Sequence, residues 1–74
     1  MKLNEMKTGG VVTVKQMELP SATMMRLKAL GMTNGTRVKI LNRKKSGSMI
    51  VSVRGTRLAL GNRITEAILV GGEE

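Results

Sequence analysis

The sequence predicts a mainly-β fold: a small barrel of about five short strands, with one short helix inserted after the first main strand. Three observations indicate this fold. Apolar, often β-branched residues alternate with polar residues in several short runs. Glycine-containing turns separate these runs, and only one extended stretch has apolar residues at helical spacing. Because the strands do not alternate regularly with helices, the pattern favours a barrel over a parallel sheet.

The chain opens with a short lead-in in which Leu3 and Met6 are the apolar anchors. A turn at residues 7–10 follows, because its two adjacent glycines adopt backbone angles that other residues avoid. The segment Val11 to Met17 is the first predicted strand, and its alternation places Val12 and Val14 on one face.

The helix is predicted to begin at Leu19-Pro20-Ser21, with the Ser21 hydroxyl capping the first free N–H groups. Gly31 is the expected stop, which leaves a helix of about ten residues that must pack on the strands to be stable. Its predicted buried stripe follows the helical period and consists of Met24, Leu27 and Leu30, assisted by Ala22 and Met25.

The remainder of the chain alternates turns with strands. The predicted elements, in order, are a turn at 33–36, a strand at 37–41, a basic hairpin loop at 42–48, a strand whose inward residues are Met49, Val51 and Val53, a tight turn at Gly55, a strand at 57–60, a helical turn at 61–66, a final strand at 68–70 and a frayed tail at 71–74.

Length and composition predict one cytosolic domain spanning residues 1–74. No run approaches the roughly 18 apolar residues of a membrane span, and residues 1–10 lack the apolar core of a signal peptide. The chain has no cysteine, which excludes disulfides, thiolate metal sites and cysteine nucleophiles.

The formal charge is +8, and no acidic residue occurs between Leu19 and Thr65. This distribution favours anionic partners, although a solvated face that only maintains solubility is the alternative interpretation.

Composition argues against an enzyme and against a tightly bound metal. The chain has no histidine to act as a base near neutral pH and no glycine-rich phosphate-binding signature. Ferrous iron prefers imidazole and carboxylate ligands, and the five carboxylates are scattered along the sequence. The seven methionines are interpreted as gap-filling core residues. We therefore expect no catalytic residues and no tight intrinsic iron site.

The absence of Phe, Trp and Tyr narrows the range of partners further. Barrels that bind proline-rich peptides use aromatic grooves, and barrels that hold single-stranded nucleic acid use aromatic stacking. Neither mode is available to this chain.

Three stretches, in order and at the right spacing, resemble the FeoA family. They are Leu3-x-x-Met6-x-x-Gly9-Gly10-x-Val12, then Met25-Arg26-Leu27-x-x-Leu30-Gly31-Met32-x-x-Gly35-x-x-Val38, and Val53-Arg54-Gly55-x-Arg57-Leu58-Ala59-Leu60-Gly61 running into Ile64 to Val70. The sequence departs from the family in a basic, proline-free loop at residues 42–48, and in Thr65, where alanine is usual.

The resemblance implies an SH3-like barrel that serves as a cytoplasmic accessory protein of a ferrous-iron uptake system. Its implied partner is the cytoplasmic GTPase region of FeoB, a membrane transporter. Association with iron(II) is implied by the resemblance alone.

The candidate partner-binding residues are Met25 and Leu27 on the helix, and Arg43, Lys44 and Lys45 in the hairpin. Core packing is the favoured interpretation of the helical pair, because amphipathic stripes usually face the core. The second functional hypothesis is nucleic-acid binding through phosphate contacts, which would be weak, sequence-independent and strongly salt-dependent.

Overall fold

A computed structural model describes residues 1–71 of the chain. These residues form five strands, β1 (Val11–Met17), β2 (Arg37–Arg43), β3 (Met49–Val53), β4 (Thr56–Leu60) and β5 (Ile68–Gly71), with α1 (Ser21–Ala29), α2 (Asn62–Thr65) and a 3₁₀ turn at Leu3–Glu5. All strand pairs are antiparallel, and the order across the sheet is β4-β3-β2-β1-β5. The predicted mainly-β fold, with a short helix after the first main strand, is confirmed.

Alternation along the strands places one set of side chains on the inner face of the sheet. The buried apolar residues of the strands are Val12, Val14, Met17, Val38, Ile40, Met49, Val51, Val53, Leu58, Leu60, Ile68 and Val70. The pairing register shifts between Val14 and Gln16 in β1, and between Ile40 and Asn42 in β2. Such irregularities bend strands and increase their twist, which helps the sheet to curl around one core. Leu3 and Met6 are buried in this core, as predicted.

The predicted stripe of α1 is wrong in three of its five positions. Leu27 is buried, but Met25 is 71% exposed, Leu30 is 45% exposed and Ala22 is also exposed. The reason lies in the residues that follow the helix. Gly31 has a φ of +99°, and the Met32 N–H donates to the Leu27 carbonyl over 2.9 Å, which reverses the chain in a Schellman turn. This reversal buries Met32 completely, in the role that the spacing assigned to Leu30.

The predicted cap of α1 is also wrong. Ser21 is the first helical residue, one position before a Ser21 cap would allow, because the Pro20 carbonyl already accepts the Met24 N–H over 3.0 Å. Pro20 is therefore the cap residue, and Ser21 lies inside the first turn without a capping hydrogen bond.

Three strand boundaries differ from the prediction. β4 begins at Thr56, one residue earlier than expected. β2 continues to Arg43, so the hairpin loop begins two residues later than expected. β5 includes Gly71, which removes that residue from the predicted tail, and the rest of the tail at 72–74 lies outside the described residues. Within 1–71, no helix is long and apolar enough to cross a membrane.

Candidate protein-docking surface

The structure separates the five predicted partner-binding residues. Leu27 is 5% exposed and packs in the core, so core packing, the favoured interpretation of the helical pair, is confirmed for Leu27 and wrong for Met25. Met25 projects from α1 and is 71% exposed. Arg43, at the end of β2, is exposed, as are Lys44 and Lys45 in the loop that follows. The surface therefore presents an apolar side chain on α1 and a separate group of cations at the β2–β3 loop.

The β2–β3 loop is held in place by its own turn and by α2. The Lys44 N–H donates to the Ser48 carbonyl over 2.8 Å, and Gly47 adopts a φ of +97° that suits glycine. The Thr65 hydroxyl is fully buried and donates to the Gly47 carbonyl over 2.8 Å, with the Asn62 carbonyl at 3.2 Å. Thr65 and this loop are the two places where the sequence departs from the FeoA pattern, and they are in direct contact.

Two shallow grooves lie beside β4. The first, of about 270 Å³, lies at the end of β4 near the β2–β3 loop, and its lining includes Lys44, Ile50 and Ala59. The second, of about 230 Å³, separates β4 from α1, and its lining includes Arg26, Leu30 and Arg57. Of the predicted contact residues, Lys44 lines the first groove and Leu27 the second. Leu30, Arg57 and Ala59 were not among the predicted contact residues, because their accessibility depends on how α1 ends and where β4 lies in the sheet.

Two cations, Lys39 and Arg57, lie on the outer face of the sheet. Lys39 pairs with Ser52, which pairs in turn with Arg57, so the two cations flank a small polar residue across three strands. All of the elements from α1 to α2 lie within the stretch of sequence that has no acidic residue. The elements from α1 to α2 therefore contribute cationic and no anionic side chains to the molecule.

Residues 1–71 contain no group of three or more His, Cys, Asp or Glu side chains that could hold a metal ion. Met6, Met17, Met32 and Met49 are buried in the core, as the interpretation of the methionines as packing residues predicts. That interpretation is wrong for Met1 and Met25, each of which is 71% exposed. The absence of a tight iron site remains a prediction, to be tested by titration.

A five-stranded antiparallel sheet curled around one core, with a short helix after its first strand, defines a small barrel protein of the SH3-like class. The family model of the FeoA domain matches residues 1–71, and the chain belongs to the FeoA family. Its resemblance to that family is therefore confirmed.

Three relatives illustrate the match. "Putative Fe(2+) transport protein A" from Methanocaldococcus jannaschii is 31% identical over 68 residues, which cover 92% of this chain and 82% of the relative. The solution structure of FeoA from Chlorobium tepidum has a TM-score of 0.88 at 30% identity, covering 96% of this chain and 69% of the other. A third relative is FeoA from Stenotrophomonas maltophilia, whose crystal structure in complex with zinc is described as that of an SH3 domain protein. It has a TM-score of 0.83 at 26% identity, covering 100% of this chain and 95% of the other.

Proposed function

We propose that this protein is a cytoplasmic accessory protein of a ferrous-iron uptake system, and that it binds the cytoplasmic GTPase region of a FeoB-type transporter. The observation that carries this proposal is the FeoA match over residues 1–71. Further support comes from the relatives, one named for Fe(2+) transport and another described as a candidate activating factor for ferrous iron transport. The exposed apolar side chains of Met25 and Leu30, on a chain with a formal charge of +8, are compatible with docking to a protein.

The protein acts by binding and not by catalysis. Its sequence supplies neither histidine nor cysteine, so a hydroxyl nucleophile would have to be activated by lysine. The buried hydroxyl of Thr65 is already engaged by carbonyl groups and is inaccessible to a substrate.

Iron(II) is the cargo of the transporter and is not held tightly by this protein. A net charge of +8 repels divalent cations, and the chain has no imidazole ligand. An anaerobic titration followed by calorimetry should give no stoichiometric Fe(II) binding at micromolar concentrations. Saturable one-to-one binding in that range would contradict this part of the proposal.

The main test is an NMR titration of isotope-labelled protein with the transporter's cytoplasmic domain at about 150 mM salt, where exposed charges are well screened. We expect amide shifts confined to one face. The hairpin residues Arg43, Lys44 and Lys45 are tested with Lys44→Glu, which should weaken binding if the loop contributes to docking.

The matched control is Lys15→Glu, which makes the same change of charge on an exposed lysine of β1. Thr13 pairs with Arg37 at the start of β2, so Lys15 lies beyond the end of β2 that is remote from Arg43. Equal weakening by both variants would indicate a general effect of charge and no specific role for the hairpin.

Nucleic-acid binding is the second candidate function, and the cationic row of Lys39 and Arg57 favours it. Phosphate contacts made without base stacking lose most of their affinity between about 50 and 200 mM salt. Shifts that appear only with RNA or DNA at low salt, and none with the transporter domain, would select this alternative.

A further inference from the structure

We infer that the outer edge of β4 is a docking site for an extended segment of a partner protein, in which apolar and acidic side chains alternate. The segment would pair with β4 as a sixth strand, with its apolar side chains toward α1 and its carboxylates beside Arg57. The inference rests on the proposed function only in taking the partner to be a protein.

The pairing register identifies which backbone groups of β4 face outward. The two-residue turn at Arg54 and Gly55, both with positive φ, closes the β3–β4 hairpin at the pair Val53 and Thr56. Antiparallel pairs alternate between hydrogen-bonded and non-hydrogen-bonded, so the N–H and C=O groups of Arg57 and Ala59 point away from β3.

No strand within residues 1–71 pairs with this edge of β4. The outward groups of Arg57 and Ala59 also take no part in any loop, turn or cap hydrogen bond among the described residues. An unpaired row of donors and acceptors is a template for another strand.

The groove between β4 and α1 offers a place for the side chains of such a segment. Leu30 is 45% exposed beside this edge, because the turn at Gly31 leaves it outside the core. At about 230 Å³, the groove is smaller than the roughly 300–1,000 Å³ of pockets that enclose small-molecule ligands. Its size suits apolar side chains from a peptide whose backbone is held by β4.

Charge identifies the remaining chemistry of the partner. Arg26 and Arg57 line opposite sides of the groove, and none of the described residues that line it is acidic. Opposite charges placed across adjacent strands stabilise pairing, so glutamate or aspartate is expected beside Arg57. A second copy of this chain is disfavoured, because it would bring two Arg57 side chains and two +8 molecules together.

Amide hydrogen exchange in the full-length protein distinguishes strand addition from other modes of docking. Addition of the transporter's cytoplasmic domain should slow exchange at Arg57 and Ala59, by at least about tenfold at saturation, as each amide gains a partner. Leu58 and Leu60 already face β3, so their exchange should change less. Binding without protection at Arg57 and Ala59 would overturn this inference, and the proposed function would still stand.

Ala59→Pro provides the matching mutational test. It deletes one outward N–H without removing a hydrogen bond to β3, and edge strands tolerate proline at such positions. Affinity should fall about tenfold, as expected for one lost hydrogen bond of a docked strand. Ala59→Ser keeps the N–H and should bind normally. Arg57→Glu supplies a second variant that does not depend on proline and should also weaken binding.

A second probe decides the inference if the transporter domain does not bind, an outcome that would reject the proposed function. This probe is a capped octapeptide of alternating valine and glutamate, added at up to millimolar concentration. Protection of Arg57 and Ala59 by the peptide, absent with an alternating valine and lysine peptide, would support the docking site. No protection by the glutamate peptide would overturn it, as would protection that appears with increasing protein concentration alone and thus reports self-association.

Discussion

The two edges of the sheet are finished in different ways. At β5, the N-terminal residues lie alongside the strand: Val70 donates its N–H to the Met1 carbonyl over 2.7 Å, and Lys2 forms a bridge with Leu69. The anchors of this cover are buried, with Leu3 fully inaccessible to solvent. At β4, by contrast, nothing in the described chain pairs with the outer edge, and a groove separates it from α1.

The N-terminal segment covers the edge at β5, whereas no described segment covers the edge at β4. An exposed edge invites pairing with other chains, and proteins commonly protect it with charge or with a very short strand. β4 has five residues and an exposed Arg57, so it is protected from association with other cationic molecules while remaining open to an acidic segment. The two edges therefore differ in whether they are accessible to another strand, and the charge at β4 also determines which strand can pair with it.

The largest effect is expected from Leu3→Ala, which attacks the covered edge. Removing a fully buried leucine side chain should lower the free energy of unfolding by about 2–5 kcal/mol. The N-terminal cover should loosen at the same time, so exchange of the Val70 amide should accelerate more than that of Leu58. Urea denaturation and hydrogen exchange measure these two effects.

Met25→Ala is the control for this substitution. Its side chain is 71% exposed, so stability should change by no more than about 0.5 kcal/mol. Equal losses from the two variants would refute the assignment of Leu3 as the anchor of the covered edge.

Thr65→Val tests how firmly the β2–β3 loop is fixed at the end of β4. The substitution keeps the shape of the side chain but deprives the carbonyl of Gly47, a buried residue, of a 2.8 Å hydrogen bond. The free energy of unfolding, measured by urea denaturation, should fall by about 1–3 kcal/mol. Ser46→Ala removes an exposed hydroxyl from the same loop and should leave the free energy of unfolding nearly unchanged. If Thr65→Val also left it unchanged, the loop would not depend on α2.

Gly31→Ala tests the turn that leaves Leu30 beside the open edge. The residue adopts a φ of +99°, and a Cβ atom there would lie 3.3 Å from Cδ of Arg54. Because alanine is strained in the left-handed conformation, the free energy of unfolding should fall by about 1–2 kcal/mol in thermal or urea denaturation. Gly31→Asn adds the same Cβ with a side chain that tolerates this conformation, so it should cost less. Equal costs would assign the effect to the contact with Arg54.

The smallest expected effect is a difference in amide hydrogen exchange between the two edges of the free protein. The Val70 amide, bonded to Met1, should exchange more slowly than the amides of Arg57 and Ala59, by about tenfold or more once intrinsic rates are corrected. Comparable rates at the two edges would remove the contrast between them.

Local patterns accounted for most of the elements that the structure contains. Alternation placed Val12, Val14, Met49, Val51 and Val53 correctly in the core, because successive side chains of a strand point to opposite faces. The turns were recognisable because glycine is the residue that most readily adopts positive φ. Composition likewise identified the exposed cations of Arg43, Lys44 and Lys45, since long charged side chains are rarely buried.

The sequence by itself thus determined the order of strands and turns, the inward side of each strand and the excess of positive charge. Only the tertiary structure decided that Met32 and not Leu30 completes the core, and that Thr65 reaches the β2–β3 loop. It also decided that β5 is covered while β4 is open. The physical reason is that periodicity and backbone preference act over a few residues, whereas edges, grooves and buried hydrogen bonds arise where distant segments meet.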